Sequence, residues 1–145
     1  MGKRRYMERP VVSTARMGEV QRLDLEVLPS PNSLWVVREA VGDLSLPTPI
    51  LDDVRLLVSE LVTNSIRHSG IGPDDRIHVR ARIGGGRLRV DVIDGGHGRS
   101  RPEPGGIRPT PGATSGWGLY LVETLTTRWG RGRGRYWFEL DLDGT

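Results

Sequence analysis

Two polar side chains that can do chemistry together, Glu60 and Asn64, are four residues apart in the sequence. Residues 50–68 have the apolar period of a helix, which puts the carboxylate and the amide one turn apart, on the flank of an apolar face. A carboxylate there can accept a proton, and an amide oxygen can bind a hard cation. This pair alone still favours a simpler interpretation, a hydrogen-bonded pair on an ordinary helix. The face itself is formed by Val54, Leu57, Val58, Leu61 and Ser65.

A second group of residues, Asp94-Gly95-Gly96-His97-Gly98, directly follows an alternating apolar run. Glycine lets the backbone approach a ligand closely, and a carboxylate at a strand end can accept a hydrogen bond from a ligand N–H. A turn with an Asx motif is the simpler alternative, because Asp-Gly-Gly is a common sequence.

A third group, Gly116, Gly118 and Leu119, begins a predicted helix, and a helix N-terminus favours anions such as phosphate. An ordinary helix start is the alternative. Before it, residues 95–118 contain twelve of the chain's 30 glycines and prolines. A loop of this length in a small domain is usually functional, disordered, or a lid over a site.

The composition limits the function classes. At 145 residues the chain is one domain in size, and with no cysteine it has no disulfide, thiolate or cysteine-ligated metal chemistry. It has no membrane-span-sized apolar run and no hydrophobic stretch after its first basic residues, so we expect a cytoplasmic protein. Residues 1–22 carry a net charge of +4 and the rest −1. We therefore expect a basic flexible tail over 1–21, a folded domain over 22–145, and no direct nucleic-acid binding.

The predicted elements that must position these residues follow the order β, α, α, β, β, long loop, α, β, β. This order predicts an α/β (α+β) two-layer sandwich, with helices packed on one face of a mixed, mostly antiparallel sheet. Ser30 or Asn32 is the predicted cap of the first helix. The predicted strands are 22–27, 76–83, 87–93, 127–129 and 136–142, and the predicted helices lie at 34–41, 50–68 and 119–125.

The three groups together, E-L-V-T-N-S-I-R-H, D-G-G-H-G and G-W-G-L-Y-L-V, resemble the N, G1 and G2 boxes of the GHKL ATPase superfamily. The resemblance spans about 23–142. It is greatest to the stand-alone anti-sigma factor serine/threonine kinases, the RsbW-like proteins. It implies the Bergerat ATP-binding fold, with ATP and Mg²⁺ as ligands.

The resemblance also implies a role for each polar residue. Glu60 would be the catalytic general base, and Asn64 would hold Mg²⁺ against the phosphates. Asp94 would accept a hydrogen bond from the adenine amino group.

The glycines and the lid also have implied roles. Gly96 and Gly98 would let the chain pass beside the nucleotide. Gly116 and Gly118, with Leu119 beside them, would bring backbone N–H groups to the phosphates. The ATP lid would extend over 99–115, and one of its arginines, Arg99, Arg101 or Arg108, is expected to meet phosphate.

The expected function is therefore phosphorylation of serine or threonine on an anti-sigma factor antagonist, with sequestration of a sigma factor as a further expected role. Relatives suggest a homodimer, and no membrane partner is expected. The alternative is a nucleotide-binding interaction switch with little kinase activity. Many relatives support adenine with a threonine in the late strands, where residues 136–140 offer only the hydroxyl of Tyr136.

Overall fold

The computed structural model describes residues 11–17, 20–68, 70–95 and 118–142. These residues form six strands and three helices. In chain order, the elements are β1 Val11–Met17, β2 Val20–Val27, α1 Ser33–Val41, α2 Thr48–His68, β3 Ile77–Gly84, β4 Arg87–Ile93, α3 Gly118–Leu125, β5 Arg128–Gly132 and β6 Arg135–Asp141.

The six described strands form one sheet in the order β1-β2-β3-β4-β6-β5. Every neighbouring pair is antiparallel, so the sheet that we predicted as mixed and mostly antiparallel is antiparallel throughout its described strands. The β3–β4 hairpin is as predicted. Gly85 and Gly86 occupy its turn with φ values of +60° and +73°, the left-handed pair that a type I′ hairpin turn requires.

The helices pack on one face of the sheet, which confirms the predicted two-layer α/β fold. α1 packs against β2, α2 against β4 and α3 against β5. Alternate residues of each strand point into this layer; in β3 they are Ile77, Val79, Ala81 and Ile83, all buried. The predicted apolar face of α2 is also confirmed, since Val54, Leu57, Val58, Leu61 and Ser65 are each fully buried.

Two helix starts differ slightly from the prediction. α2 begins at Thr48 rather than near Ile50, because a proline such as Pro49 is tolerated in the first turn, where its missing N–H has no helical partner. Asn32 occupies the N-cap position of α1 but makes no side-chain capping bond.

Strand β1 corrects the predicted tail. Residues 11–17 belong to the sheet, where they pair with β2 from Val11↔Glu26 to Met17↔Val20. Val12, Ser13 and Thr14 are exposed, so the strand has no buried side-chain pattern there that periodicity could detect. Backbone pairing with the otherwise open edge of β2 forms the strand instead. Residues 1–10 lie outside the described part of the chain. None of the described helices is long and apolar enough to cross a membrane.

Candidate functional site

The carboxylate and amide of α2 lie where the helical period predicts. Glu60 and Asn64 are half-buried, one turn apart, beside the fully buried stripe of the same helix. Neither side chain has a hydrogen-bond or ion-pair partner among the described residues. Two polar groups at the edge of the core are therefore available to a ligand.

The first residue of α3 lies directly against Glu60. Gly118 is buried, and a Cβ atom built on it would lie 2.7 Å from Glu60 Oε2 and 3.3 Å from Glu60 Cβ. Only glycine fits at this distance without displacing the carboxylate. This packing brings the start of α3 against α2. The carboxylate of Glu60 and the N-terminus of α3 therefore lie together. The first backbone N–H groups of a helix have no partner within it, and they favour an anion.

Asp94 lies at the end of β4 and is 2% exposed. Its backbone N–H donates to the Gly134 carbonyl oxygen at 2.9 Å. This bond holds the residue against the turn between β5 and β6, where Gly134 has a φ of +68°. A buried carboxylate is costly unless it is hydrogen-bonded or paired, so polar surroundings are expected at this strand end on the helix side of the sheet.

Tyr136 lies close to both Asp94 and Arg131, a grouping that residue spacing in the sequence does not predict. Tyr136 is opposite Val92 in β4 and Arg131 in β5, so all three share the helix side of the sheet with Asp94, two residues beyond Val92. Burial, followed by the negative charge of Asp94, raises the pKa of the Tyr136 phenol, and the charge of Arg131 opposes this rise. The phenol is therefore protonated at neutral pH and able to donate a hydrogen bond.

Part of the predicted site lies outside the described residues, namely Gly96, Gly98, Gly116 and the lid over 99–115. Leu119 is described; its side chain is half-buried and packs against the hydrophobic core. A contact of Leu119 with a phosphate would therefore be made by its backbone N–H, in the first turn of α3.

The described residues contain no cluster of three or more His, Cys, Asp or Glu side chains that could hold a metal ion by themselves. They fit Mg²⁺ in another way, because Asn64 offers an amide oxygen that has no partner in the described part of the chain. Mg²⁺ commonly takes one or two protein oxygens and completes its shell with substrate phosphates and water. A single protein oxygen therefore suits a magnesium ion that binds together with a nucleotide.

The comparison with protein families decides the assignment. Residues 30–134 match the model of the histidine kinase-like ATPase domain, which covers more than half of the chain and includes Glu60, Asn64, Asp94 and Gly118. The chain belongs to this family. Its fold, with six antiparallel strands and three helices in the described residues, agrees with the ATP-binding fold of the GHKL proteins.

A solved structure supports the fold of this histidine kinase-like ATPase domain. It contains the RsbU and RsbW domains of a protein from Mycobacterium tuberculosis and superposes with a TM-score of 0.53 at 23% sequence identity. The match covers 81% of this chain and 31% of that chain, so the present protein is similar to part of a longer one. No curated protein sequence matches the chain.

Proposed function

We propose that this protein binds ATP with Mg²⁺ and transfers the γ-phosphate to a serine or threonine hydroxyl of a partner protein. The observation that carries the proposal is the packing of Gly118 on Glu60, which puts a carboxylate beside a helix N-terminus. The helix N-terminus would bind phosphate, and the carboxylate would accept the proton of the attacking hydroxyl. No described residue pairs with the Glu60 carboxylate, so it is free to do so.

Asn64, one turn from Glu60 on α2, would supply the protein oxygen for Mg²⁺. When bound, the metal neutralises charge that develops on the phosphates during transfer. The one-turn spacing supports this pairing of roles, because the base and the metal ligand must flank the same phosphate. Gly116 and Gly118 would direct backbone N–H groups to the phosphates, and Gly96 and Gly98 would let the chain pass the nucleotide.

At the other end of the site, Asp94 would accept a hydrogen bond from the adenine amino group. Its burial supports the assignment, because a carboxylate shielded from water makes a stronger hydrogen bond to a ligand. The protonated phenol of Tyr136 would donate to a ring nitrogen of the base.

The partner classes follow from similarity. The solved relative contains an RsbW domain, and the sequence motifs resemble those of RsbW-like kinases. We therefore propose an anti-sigma factor antagonist as the phosphorylated substrate and a sigma factor as a second partner. We also propose that the protein acts as a homodimer in the cytoplasm.

A nucleotide-binding switch without useful kinase activity is the second candidate. The altered adenine support favours it, because many relatives use a threonine in the late strands where this chain offers only the phenol of Tyr136. The two candidates share the nucleotide site and differ only in phosphoryl transfer.

Incubation of the protein with γ-labelled ATP, Mg²⁺ and purified antagonist proteins tests the kinase proposal. We expect label on one serine or threonine of an antagonist, identified by mass spectrometry, and none when Mg²⁺ is chelated. Binding of ATP without transfer to any antagonist would support the switch. Failure to bind ATP would overturn both candidates.

A further inference from the structure

The face of the sheet that points away from the helices, here called the open face, is charged over most of its width. On the half formed by β4, β5 and β6, every arginine is paired with at least one carboxylate. Arg89 donates two hydrogen bonds of 3.0 Å to Asp91 and one of 3.1 Å to Glu139. Its guanidinium also lies 4.1 Å from the ring centroid of Trp137. Arg128 donates to Glu139 at 2.7 Å, so this half of the face is a closed network of ion pairs.

The other half of the open face, on β2 and β3, is different. Arg22 is directly opposite Arg82 in the β2–β3 register, and Arg82 is directly opposite Arg89 in the β3–β4 register. Three arginines thus occupy neighbouring positions in one row across the sheet. Arg89 is paired with carboxylates of β4 and β6. Neither Arg22 nor Arg82 has a hydrogen-bond or ion-pair partner among the described residues.

The carboxylates of β2 lie against other side chains of β3. Asp24 lies 3.3 Å from Arg80, and Glu26 lies 4.0 Å from His78, an ion pair only when the imidazole is protonated. Like charges directly opposite each other on a sheet destabilise it, so Arg22 and Arg82 contribute no favourable pairing to the fold. Both side chains are exposed, and they line a shallow depression of about 610 Å³ that extends over β1 to β4 on the open face. This depression is on the opposite side of the sheet from Glu60, Asp94 and Gly118.

We propose that the open face around Arg22 and Arg82 docks an acidic segment of a partner protein, whose carboxylates bind this arginine pair. Charge complementarity identifies the occupant. The described strands put seven arginines and five carboxylates on the open face, a surplus of two positive charges, and the two arginines without a carboxylate partner are Arg22 and Arg82. Directly opposed strand positions are about 5 Å apart, so the two guanidinium groups can bind neighbouring carboxylates.

Other occupants fit this face less well. A second copy presenting the same face would bring two more unpaired arginines, and Glu26, its one carboxylate without an arginine partner among the described residues, lies against His78. A nucleic acid carries a phosphate at every nucleotide, and the carboxylates interspersed on the face would repel it. An acidic protein segment needs only local negative charge over the arginine pair and can avoid the acidic positions around it.

An NMR titration of the full chain tests the proposal without depending on the nucleotide site. The probe is a capped hexapeptide with two adjacent glutamates at its centre, compared with the same peptide carrying two glutamines. We expect the glutamate peptide to shift amide signals of β2 and β3 and the glutamine peptide to leave them unchanged. The double variant Arg22→Gln/Arg82→Gln should lower the affinity for the glutamate peptide by about tenfold or more, because it removes two charge-assisted hydrogen bonds.

The matched control is Arg38→Gln/Arg67→Gln, which removes the same charge from exposed positions on the helices. It should bind the peptide within about twofold of the parent, the difference expected from net charge at physiological salt. An equal loss in both double variants, or shifts confined to other strands, would overturn the proposal. So would tighter binding of a short single-stranded DNA to this face than of the peptide. A dimer seen by sedimentation that Arg22→Gln/Arg82→Gln dissociates would also overturn it, because the face would then bind a second copy.

Discussion

Replacing Gly118 with alanine tests the contact on which the candidate site depends. The new Cβ atom would lie 2.7 Å from Glu60 Oε2, whereas an ordinary contact begins at 3.4 Å. The carboxylate must therefore move by at least 0.7 Å, the difference between these two distances. It lies at the end of a flexible side chain, so it can rotate away with little effect on the fold. The 3.3 Å contact with Glu60 Cβ requires only a small further adjustment.

The expected result is a large catalytic defect in a stable protein. Displacing a reacting group by about 1 Å can cost about 100-fold in rate, so we expect phosphate transfer from ATP to fall by about that factor. Exchange of glycine for alanine changes stability by about 1 kcal/mol in a helix interior and by less at a first residue such as Gly118. The free energy of unfolding should therefore stay within about 1 kcal/mol of the parent. Affinity for ATP should change much less than the transfer rate.

Gly132→Ala is the matched control, because a Cβ atom on Gly132 would have no neighbour within 4 Å. Transfer rates are measured with γ-labelled ATP, affinity by calorimetry and stability by denaturant unfolding. Parent-like transfer by Gly118→Ala would refute the reasoning that this glycine holds Glu60 in its reactive position. A loss of several kcal/mol in stability would show instead that the contact serves the fold.

Two further substitutions test the adenine site and the ion pairs of the open face. Asp94→Asn should weaken ATP binding by more than about tenfold in calorimetry, since it replaces an acceptor oxygen with a donor facing the adenine amino group; equal affinity would remove Asp94 from the site. At Asp91, burial raises the pKa, but hydrogen bonds from Arg89 and Arg135 outweigh it and leave the pKa below its usual value. A lowered pKa stabilises the fold above about pH 4, and that contribution is lost as the pH falls further. Asp91→Asn should therefore lower the melting temperature at pH 7 and have less effect near pH 3; an equal effect at both would contradict the assignment.

Much of the fold could be predicted from local periodicity. The alternation in β3 and the 3.6-residue period of α2 each follow from one buried face. A buried face appears in the sequence as a regular spacing of apolar residues. The position of Glu60 and Asn64, one turn apart on the same flank of α2, follows from the same period. Strand β1 was missed because its described side chains are exposed, so only backbone pairing marks it.

The long-range part of the site could not be predicted from residue spacing. Asp94 and Tyr136 come together because β4 pairs with β6 in a register that sets Val92 opposite Tyr136. No local pattern in either segment specifies that register. The same holds for Arg22 opposite Arg82, two unremarkable strand arginines until β2 and β3 are paired.

The most direct test of the central claim separates nucleotide binding from chemistry with Glu60→Gln. The substitution keeps the shape of the side chain and removes its ability to take up a proton. ATP affinity, measured by calorimetry with Mg²⁺, should stay near that of the parent, whereas transfer of label from γ-labelled ATP to an antagonist should fall by about 10²–10⁴-fold. Transfer at the parent's rate would contradict the claim that Glu60 is the general base of a protein kinase.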